Sequence, residues 1–363
     1  DAINNYYAYM NRYATNHNSS NPGLIFANWG SPNLTWEESI DRSIGVDFEY
    51  NKSRIKAGLD LYMRGSNKLL FVQPLAPSTG STGYYDNVAS MRNSGIELNV
   101  GVDVVRSDNF NWNVRLNAYH NKNEILEVQG KDSLGSSGQV LFKGEPAFSY
   151  FMPEYAGVND KGAPMWYKTD DEGNRVTTTD YGSLLPSDYK LFGSAQRWLE
   201  GAISNTLSYK RLQLSFMFQF GLGGYFYDNT YASLMASGPQ AIGRAMHIDM
   251  LNSWKQPGDE KKSDVQPAIN WGSAGNDNTR MSSKFLTDNS FLNFKNLNLS
   301  YTFSSEALSR VGFRALSVYG AAENIIQWSA RVGMDPNTSF FGLSSFNYFP
   351  YRTYTVGVRV TLQ

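Results

Sequence analysis

The feature that most constrains this chain is a period of two in hydropathy, held over unusually long runs. In "SRIKAGLDLYMRG" (53–65), Ile55, Ala57, Leu59, Leu61 and Met63 are apolar. Lys56, Gly58, Asp60 and Arg64 lie between them, with Tyr62 the amphipathic exception. Successive strand side chains point to opposite faces, so one face is greasy and the other wet. The pattern recurs at 44–50, 96–104, 110–117, 211–220 and 354–362, and more weakly at 197–209, 290–303 and 313–326. Several runs alternate for nine or more residues, whereas soluble strands usually have about five or six. A tilted strand crossing a bilayer needs about 9–11.

The connections are asymmetric. "NKS" (51–53), "RSDN" (106–109) and "YKR" (209–211) read as tight turns, and "SSEALSRVG" (304–312) as a somewhat longer one. Residues 66–91, 124–196, 226–289 and 327–350 read as long loops rich in Gly, Ser, Asn, Asp and Pro. Short turns at one end and long loops at the other are the habit of outer-membrane barrels. The expected fold is therefore all-β, a transmembrane antiparallel barrel wall of nine strands. Two more strands are expected as a hairpin inside 146–169, and one at "INNYYAYMNRY" (3–13). "YASLMASGPQAIGRAMHIDMLNSW" (231–254) reads as two short helices in an extracellular loop, broken at Gly238-Pro239. Single-chain bacterial barrels have an even number of strands. An odd count implies earlier strands, and the absence of an initiator Met or signal pattern fits a piece of something longer.

Composition excludes several classes. The formal charge of -1 leaves no electrostatic footprint for nucleic acid. The absence of cysteine removes disulfide scaffolds and thiolate metal sites. There is no run of about 18 apolar residues, hence no transmembrane helix. A mean hydropathy of -0.43 fits a soluble protein, but equally a barrel in which only alternate residues meet lipid.

Local wording adds a family resemblance. "SPNLTWEES" (31–39), "NKLLFVQPLAPSTG" (67–80), "MRNSGIELNV" (91–100) and "NWNVRLNAYHNKNEI" (111–125) occur in order. "GAISNTLSYK" (201–210), "WKQPGDE" (254–260), "FLTDNSFLNFKNLNLSYTF" (285–303), "AAENIIQWS" (321–329), "GMDP" (333–336) and "YFPYRTYTVGVRV" (348–360) follow. Together they resemble the C-terminal barrel region of SusC/RagA-type TonB-dependent outer-membrane transporters. The resemblance implies that residues 1–363 are the last part of a 22-stranded plugged barrel, with the plug domain and earlier strands absent from the chain. It implies import of oligomeric nutrients, glycans or peptides, beneath a SusD-like surface lipoprotein and driven by the TonB complex. One departure is the ending Leu362-Gln363, where the family tends to close on an aromatic residue.

Some pieces have a physical reading of their own. Pro32 stands ahead of a strand, where it breaks no ladder. Gly95 reads as the start of a strand after a turn. Trp36 and Tyr50 mark the outer and inner aromatic girdles. Catalytic patterns are missing: neither G-x-S-x-G nor H-E-x-x-H occurs, and His17, His120 and His247 are scattered. "TDDEGNRV" (169–176) lacks the full set of alternating oxygen ligands of a calcium loop, so no metal and no cofactor is expected. "FGLGGYF" (220–226) reads as strand curvature or close backbone approach rather than a phosphate loop. Substrate contacts are expected from lumen-facing polar residues and from loop aromatics, namely Tyr84, Tyr85, Trp166, Tyr167, Trp271, Phe340 and Phe341. The competing readings are a stand-alone outer-membrane hydrolase and a soluble β-rich binding module.

Overall fold

The computed structural model describes residues 7–18, 21–81, 83–128, 132–135, 138–303, 312–344 and 346–362. Nine long strands form one antiparallel sheet: β1 Glu38–Tyr50, β2 Ile55–Pro74, β3 Gly83–Arg106, β4 Phe110–Val128, β5 Leu199–Tyr209, β6 Leu212–Leu222, β7 Phe291–Phe303, β8 Phe313–Ser329 and β9 Thr353–Leu362. Each pairs only with its neighbours in the chain, so the sheet is an up-and-down meander. Among the described residues it does not close, and β1 and β9 are its free edges.

Register turns the alternation of each strand into a property of the whole wall. Leu59 lies opposite Val46 on β1 and Leu98 on β3. Val100 meets Leu116, which meets Ile203, which meets Phe218. Leu299 meets Gly320, which meets Val356. One face is thus an apolar band from edge to edge. It is uncovered: Ile44 is 67% and Val356 84% exposed. A soluble sheet would bury such a band under a second layer, and large bare apolar patches are rare on soluble monomers. Asn205 is a polar exception within the band, and its side-chain oxygen accepts a 3.2 Å bond from the Trp112 indole. The opposite face runs Asp47, Gly58, Asn99, Asn117, Ala202, Gln219, Asn293.

The short turns lie at one end. Asn51, Lys52 and Ser53 all take positive φ (52°, 53° and 64°) to reverse the chain between β1 and β2. Arg54 braces this end by donating to the carbonyls of Asp103 (2.9 Å) and Val104 (2.8 Å) on β3. The expected turn at 304–312 lies, but for Gly312, outside the described residues.

Several boundaries differ from expectation. Residues 66–91 are mostly strand, because β2 continues to Pro74 and β3 begins at Gly83. Gly95 is therefore inside β3, not at its start. A Cβ there would lie 2.5 Å from the Tyr62 hydroxyl and 2.3 Å from the His120 carbonyl. Tyr62 lies directly across from Gly95. The glycine leaves room for that wet-face ring, whose hydroxyl donates to Asn121 at 2.9 Å. Around 3–13, residues 3–6 lie outside the described residues and 7–10 form a turn. The strand there is Arg12–Asn18, which pairs with Asn21–Asn28 away from the wall. The hairpin expected in 146–169 exists as Tyr155–Val158 with Pro164–Thr169. It is extended by Arg175–Thr178 into a separate three-stranded sheet.

The packed core lies in the long connections and at the adjoining end of β4. Tyr150, Met152, Ala195, Tyr227, Tyr231, Ala232, Met235, Met250 and Phe285 form one buried cluster, and Ile125, Val128 and Ala147 another. In 231–254 the chain makes helix α1, Asn229–Leu234, and 3₁₀ turns at Pro239–Ala241 and Ile248–Asn252. Asp228 caps α1 by accepting the Tyr231 N–H at 2.9 Å.

Candidate functional site at the loop-bearing mouth

Loops and wall meet around Arg197, just before β5. Its guanidinium donates to the Asn289 carbonyl (2.8 Å), the Asn289 side chain (3.0 Å) and the Pro336 carbonyl (2.8 Å). It also pairs with Glu200 at 3.2 Å. Burial pulls its pKa down, and the Glu200 carboxylate opposes that pull. Four donated bonds tie two loops to the rim of the wall. Charged hydrogen bonds of this kind are the strong ones.

A second tie joins 226–250 to 330–346. Arg331 and Asp228 pair at 2.8 Å, and the guanidinium lies 3.4 Å from the Tyr231 ring centroid. The Ser344 hydroxyl donates to Asp228 at 3.0 Å. Backbone bonds run alongside, from the Tyr227 N–H to the Gly342 carbonyl (2.7 Å) and from the Ser344 N–H to the Tyr227 carbonyl (3.2 Å). The Tyr231 hydroxyl donates to Asp249 at 2.7 Å, and its pKa is raised by burial and then by that bond.

Between the 330–352 loop and the upper parts of β7 and β8 lies a cavity of about 700 Å³. Its walls include Gln219, Asn293, Lys295, Asn324, Gln327, Arg331, Asp335, Tyr348, Phe349 and Arg352. This size falls in the range of ligand sites, roughly 300–1,000 Å³. A more open cavity of about 530 Å³ lies on the wet face, lined by Glu97, Asn99, Asn117, Tyr119, Glu200, Gln219 and Lys295. Gln219 and Lys295 belong to both.

The seven aromatics expected to meet substrate are dispersed. Tyr84 and Tyr85 sit half-buried on β3, paired with Gln73 and Val72. Trp166 is fully buried, edge-on to Tyr181 at 5.1 Å. Tyr167 is half-buried under the Arg175 guanidinium at 3.7 Å. Trp271 is exposed on another loop. Phe340 and Phe341 are exposed and form a three-ring cluster with Phe148, at 6.1 and 4.8 Å. Only this last pair is brought together, and neither ring lines the large cavity. Trp36 and Tyr50 are both well exposed at opposite ends of the β1 segment.

The remaining motifs have local explanations. The Asp170 carboxylate accepts the N–H groups of Glu172 (3.0 Å) and Asn174 (2.8 Å), and these bonds hold its pKa down. Its oxygen is thus spent on its own turn. Gly223 and Gly224 take positive φ, and a Cβ on Gly224 would lie 2.7 Å from the Gln196 carbonyl, a close backbone approach. His120 is on the apolar face of β4 with Nδ1 against the Trp198 carbonyl, whereas His247 caps the 3₁₀ turn at 248–252. The side chain of His17 lies outside the described residues. Among the described residues no group of three or more His, Cys, Asp or Glu is placed to hold a metal ion.

The geometry of a one-sided apolar wall capped by loops has parallels among known proteins. No family model matches the chain. TonB-dependent receptor P26 of Formosa agariphila is 28% identical over 370 residues, covering 93% of this chain and 36% of that protein. TonB-dependent receptor P3 of the same organism is 24% identical, covering 93% and 35%. TonB-dependent receptor SusC of Bacteroides thetaiotaomicron is 24% identical, covering 98% and 34%. The chain therefore spans about a third of the length of these curated relatives. A solved structure, that of the RagAB peptide transporter, superposes with a TM-score of 0.82 at 25% identity, covering 98% of this chain and 39% of that one. By these likenesses the chain is similar to the SusC/RagA type of TonB-dependent outer-membrane transporters, matching a portion of the RagAB structure's fold.

Proposed function

We infer that residues 1–363 form the C-terminal part of a single barrel domain whose plug and earlier strands lie outside this chain. The complete protein imports oligomeric nutrients, glycans or peptides, across the outer membrane. It works with a SusD-like surface lipoprotein over its mouth and draws energy from the TonB complex through the region absent here. It is a transporter and not an enzyme. The observation that carries this reading is the nine-stranded wall itself, apolar on one face, polar on the other, open at both edges and loaded with packed loops at one end. Such a wall has no use until further strands close it around a wet lumen. The names of its relatives supply the direction, since they are TonB-dependent receptors, and the RagAB structure is described as a peptide transporter. Of the seven aromatics expected to meet substrate, Trp271, Phe340 and Phe341 are the ones exposed enough to touch cargo.

A hydrolase would need a Ser/His set converging on one rim. His120 and His247, on the lipid face of β4 and in a loop cap, offer no such convergence. The test is purification from membranes in mild detergent, with every co-purifying chain identified by mass spectrometry. A plug-bearing N-terminal portion and a surface lipoprotein are expected. A folded, monomeric chain that co-purifies with neither overturns the reading.

A further inference from the structure

The large cavity has a floor that the fold builds deliberately. On β7, Phe294 pairs with Phe218 and Ile326, and the next paired residue, Asn296, meets Met217 and Glu323. Lys295 is skipped by both neighbours, a β-bulge. Opposite it on β8, Asn324 and Ile325 are skipped as well, and Asn324 takes a left-handed backbone with φ 52°. Bulges re-aim side chains and cluster near functional sites. Asparagine tolerates this backbone better than most residues, though it is still uncommon.

The bulge gathers charge. Lys295 Nζ donates to the Asn324 side-chain oxygen at 2.8 Å, and the Asn324 amide donates to the Tyr351 carbonyl at 3.0 Å. Tyr351 is thereby pinned above the bulge, and the next residue, Arg352, lines the same cavity as Lys295. The other charges of the lining are matched. Arg331 is paired with Asp228, and Asp335 accepts from Gln327 and the Asn337 N–H, with the positive Arg197 close by. Among the described residues neither Lys295 nor Arg352 makes an ion pair. Two unmatched cations therefore share a cavity that also holds the matched Arg331 and Asp335, side-chain amides (Gln219, Asn293, Gln327) and exposed rings (Tyr348, Phe349). Lys295 also reaches the wet-face cavity, so it stands where the mouth opens into the lumen.

We propose that this cavity is a subsite for a carboxylate carried on an oligomeric cargo, with Lys295 and Arg352 as the residues that read it. The proposal rests on the importer reading above and names the charge of the cargo. A carboxylate is the chemistry that a guanidinium and an ammonium recognise with charge-assisted hydrogen bonds, and flanking amides and rings suit the chain that bears it. Its source is either an acidic residue of a peptide or a uronic acid of a glycan.

The experiment is calorimetric titration of the complete protein, with its co-purifying partners, against four probes. These are tri-galacturonate and maltotriose, and a triglutamate and a triglutamine peptide. At least one acidic probe is expected to bind ~10-fold or more tighter than its neutral counterpart, in keeping with the strength of hydrogen bonds to charged groups. That preference should weaken as salt is raised, and it should vanish in the Lys295→Gln/Arg352→Gln double variant. Lys295→Arg with Arg352 intact should keep it, which separates lost charge from a damaged bulge. The responding probe identifies the source. Equal binding of acidic and neutral probes, binding of neither acidic probe, or a preference that survives the double variant each overturns the proposal. The importer reading fails separately, by absence of uptake of any oligomer in intact cells.

Discussion

Replacing Arg331 with methionine tests whether the 330–346 loop is held by charge or by apolar packing. Methionine keeps contact with the Tyr231 ring but leaves Asp228 without its cation. The Asp228 side chain is 7% exposed and that of Arg331 24%, so the pair is largely out of water. Breaking a buried pair costs about 3–5 kcal/mol, mainly because the remaining charge is stranded. Asp228 retains the Tyr231 N–H and the Ser344 hydroxyl, which places the expectation at the low end. A loss of ~3 kcal/mol raises the population of the open loop roughly 100-fold. The reporters are the amides of Tyr227 and Ser344, which bridge the two loops. Native-state hydrogen exchange of the complete protein should show both accelerated about 100-fold, with amides in the middle of β5 unchanged, because local opening is read separately from global unfolding. Asp228→Asn with Arg331→Met should recover part of the loss, since no buried charge then remains. Acceleration of less than about 5-fold in the single variant would mean that backbone bonds and apolar contacts hold the loop and that the pair adds little.

Two further outcomes follow from the wall and the loop core. Leu59→Arg places a charge on the apolar band between Val46 and Leu98. It should destabilise folding into bilayers by about 2–4 kcal/mol if the site is near the midplane, as lipid-facing charge does. Unchanged refolding yields would put that face against protein or water. Lys284 donates a 3.4 Å bond to the Asn278 carbonyl and faces the rings of Tyr155 and Phe285. Burial pulls its pKa down to about 7. Unfolded lysine titrates near 10.4, so between about pH 7 and 10.4 the open loop binds more protons than the closed one. Loop stability should therefore rise with pH through that window and be lowest below it. Pulse proteolysis of the 278–288 segment should show the rise, and Lys284→Met should flatten it. A wild-type profile already flat from pH 7 to 10 would refute the placement of this lysine.

How legible all this was in the sequence depends on which interactions set each part. The wall is set by neighbours two apart in the chain, so its nine strands and its lipid face follow from counting, as at Leu59 and Val356. Strand ends are less visible because the signal used was hydropathy. Beyond the bilayer edge β2 and β3 keep pairing through Leu70–Gln73 and Tyr84–Asn87, where nothing demands alternation, so the stretch reads as loop. The loop core was invisible for another reason. Asp228 and Arg331 are 103 residues apart, and Arg197 and Pro336 are 139 apart. No local pattern marks such pairs, and loop aromatics selected for exposure include Trp166, which the core takes up. The bulge lies between these extremes. Leu292 and Phe294 alternate in one phase and Leu297, Leu299 and Tyr301 in the other, so the period slips by one across Lys295. A one-residue slip would turn the rest of the strand inside out unless one residue were skipped. The slip was thus a readable mark of a bulge at Lys295. What the sequence alone did not say was that Asn324 and Tyr351 would bring Arg352 to the same place.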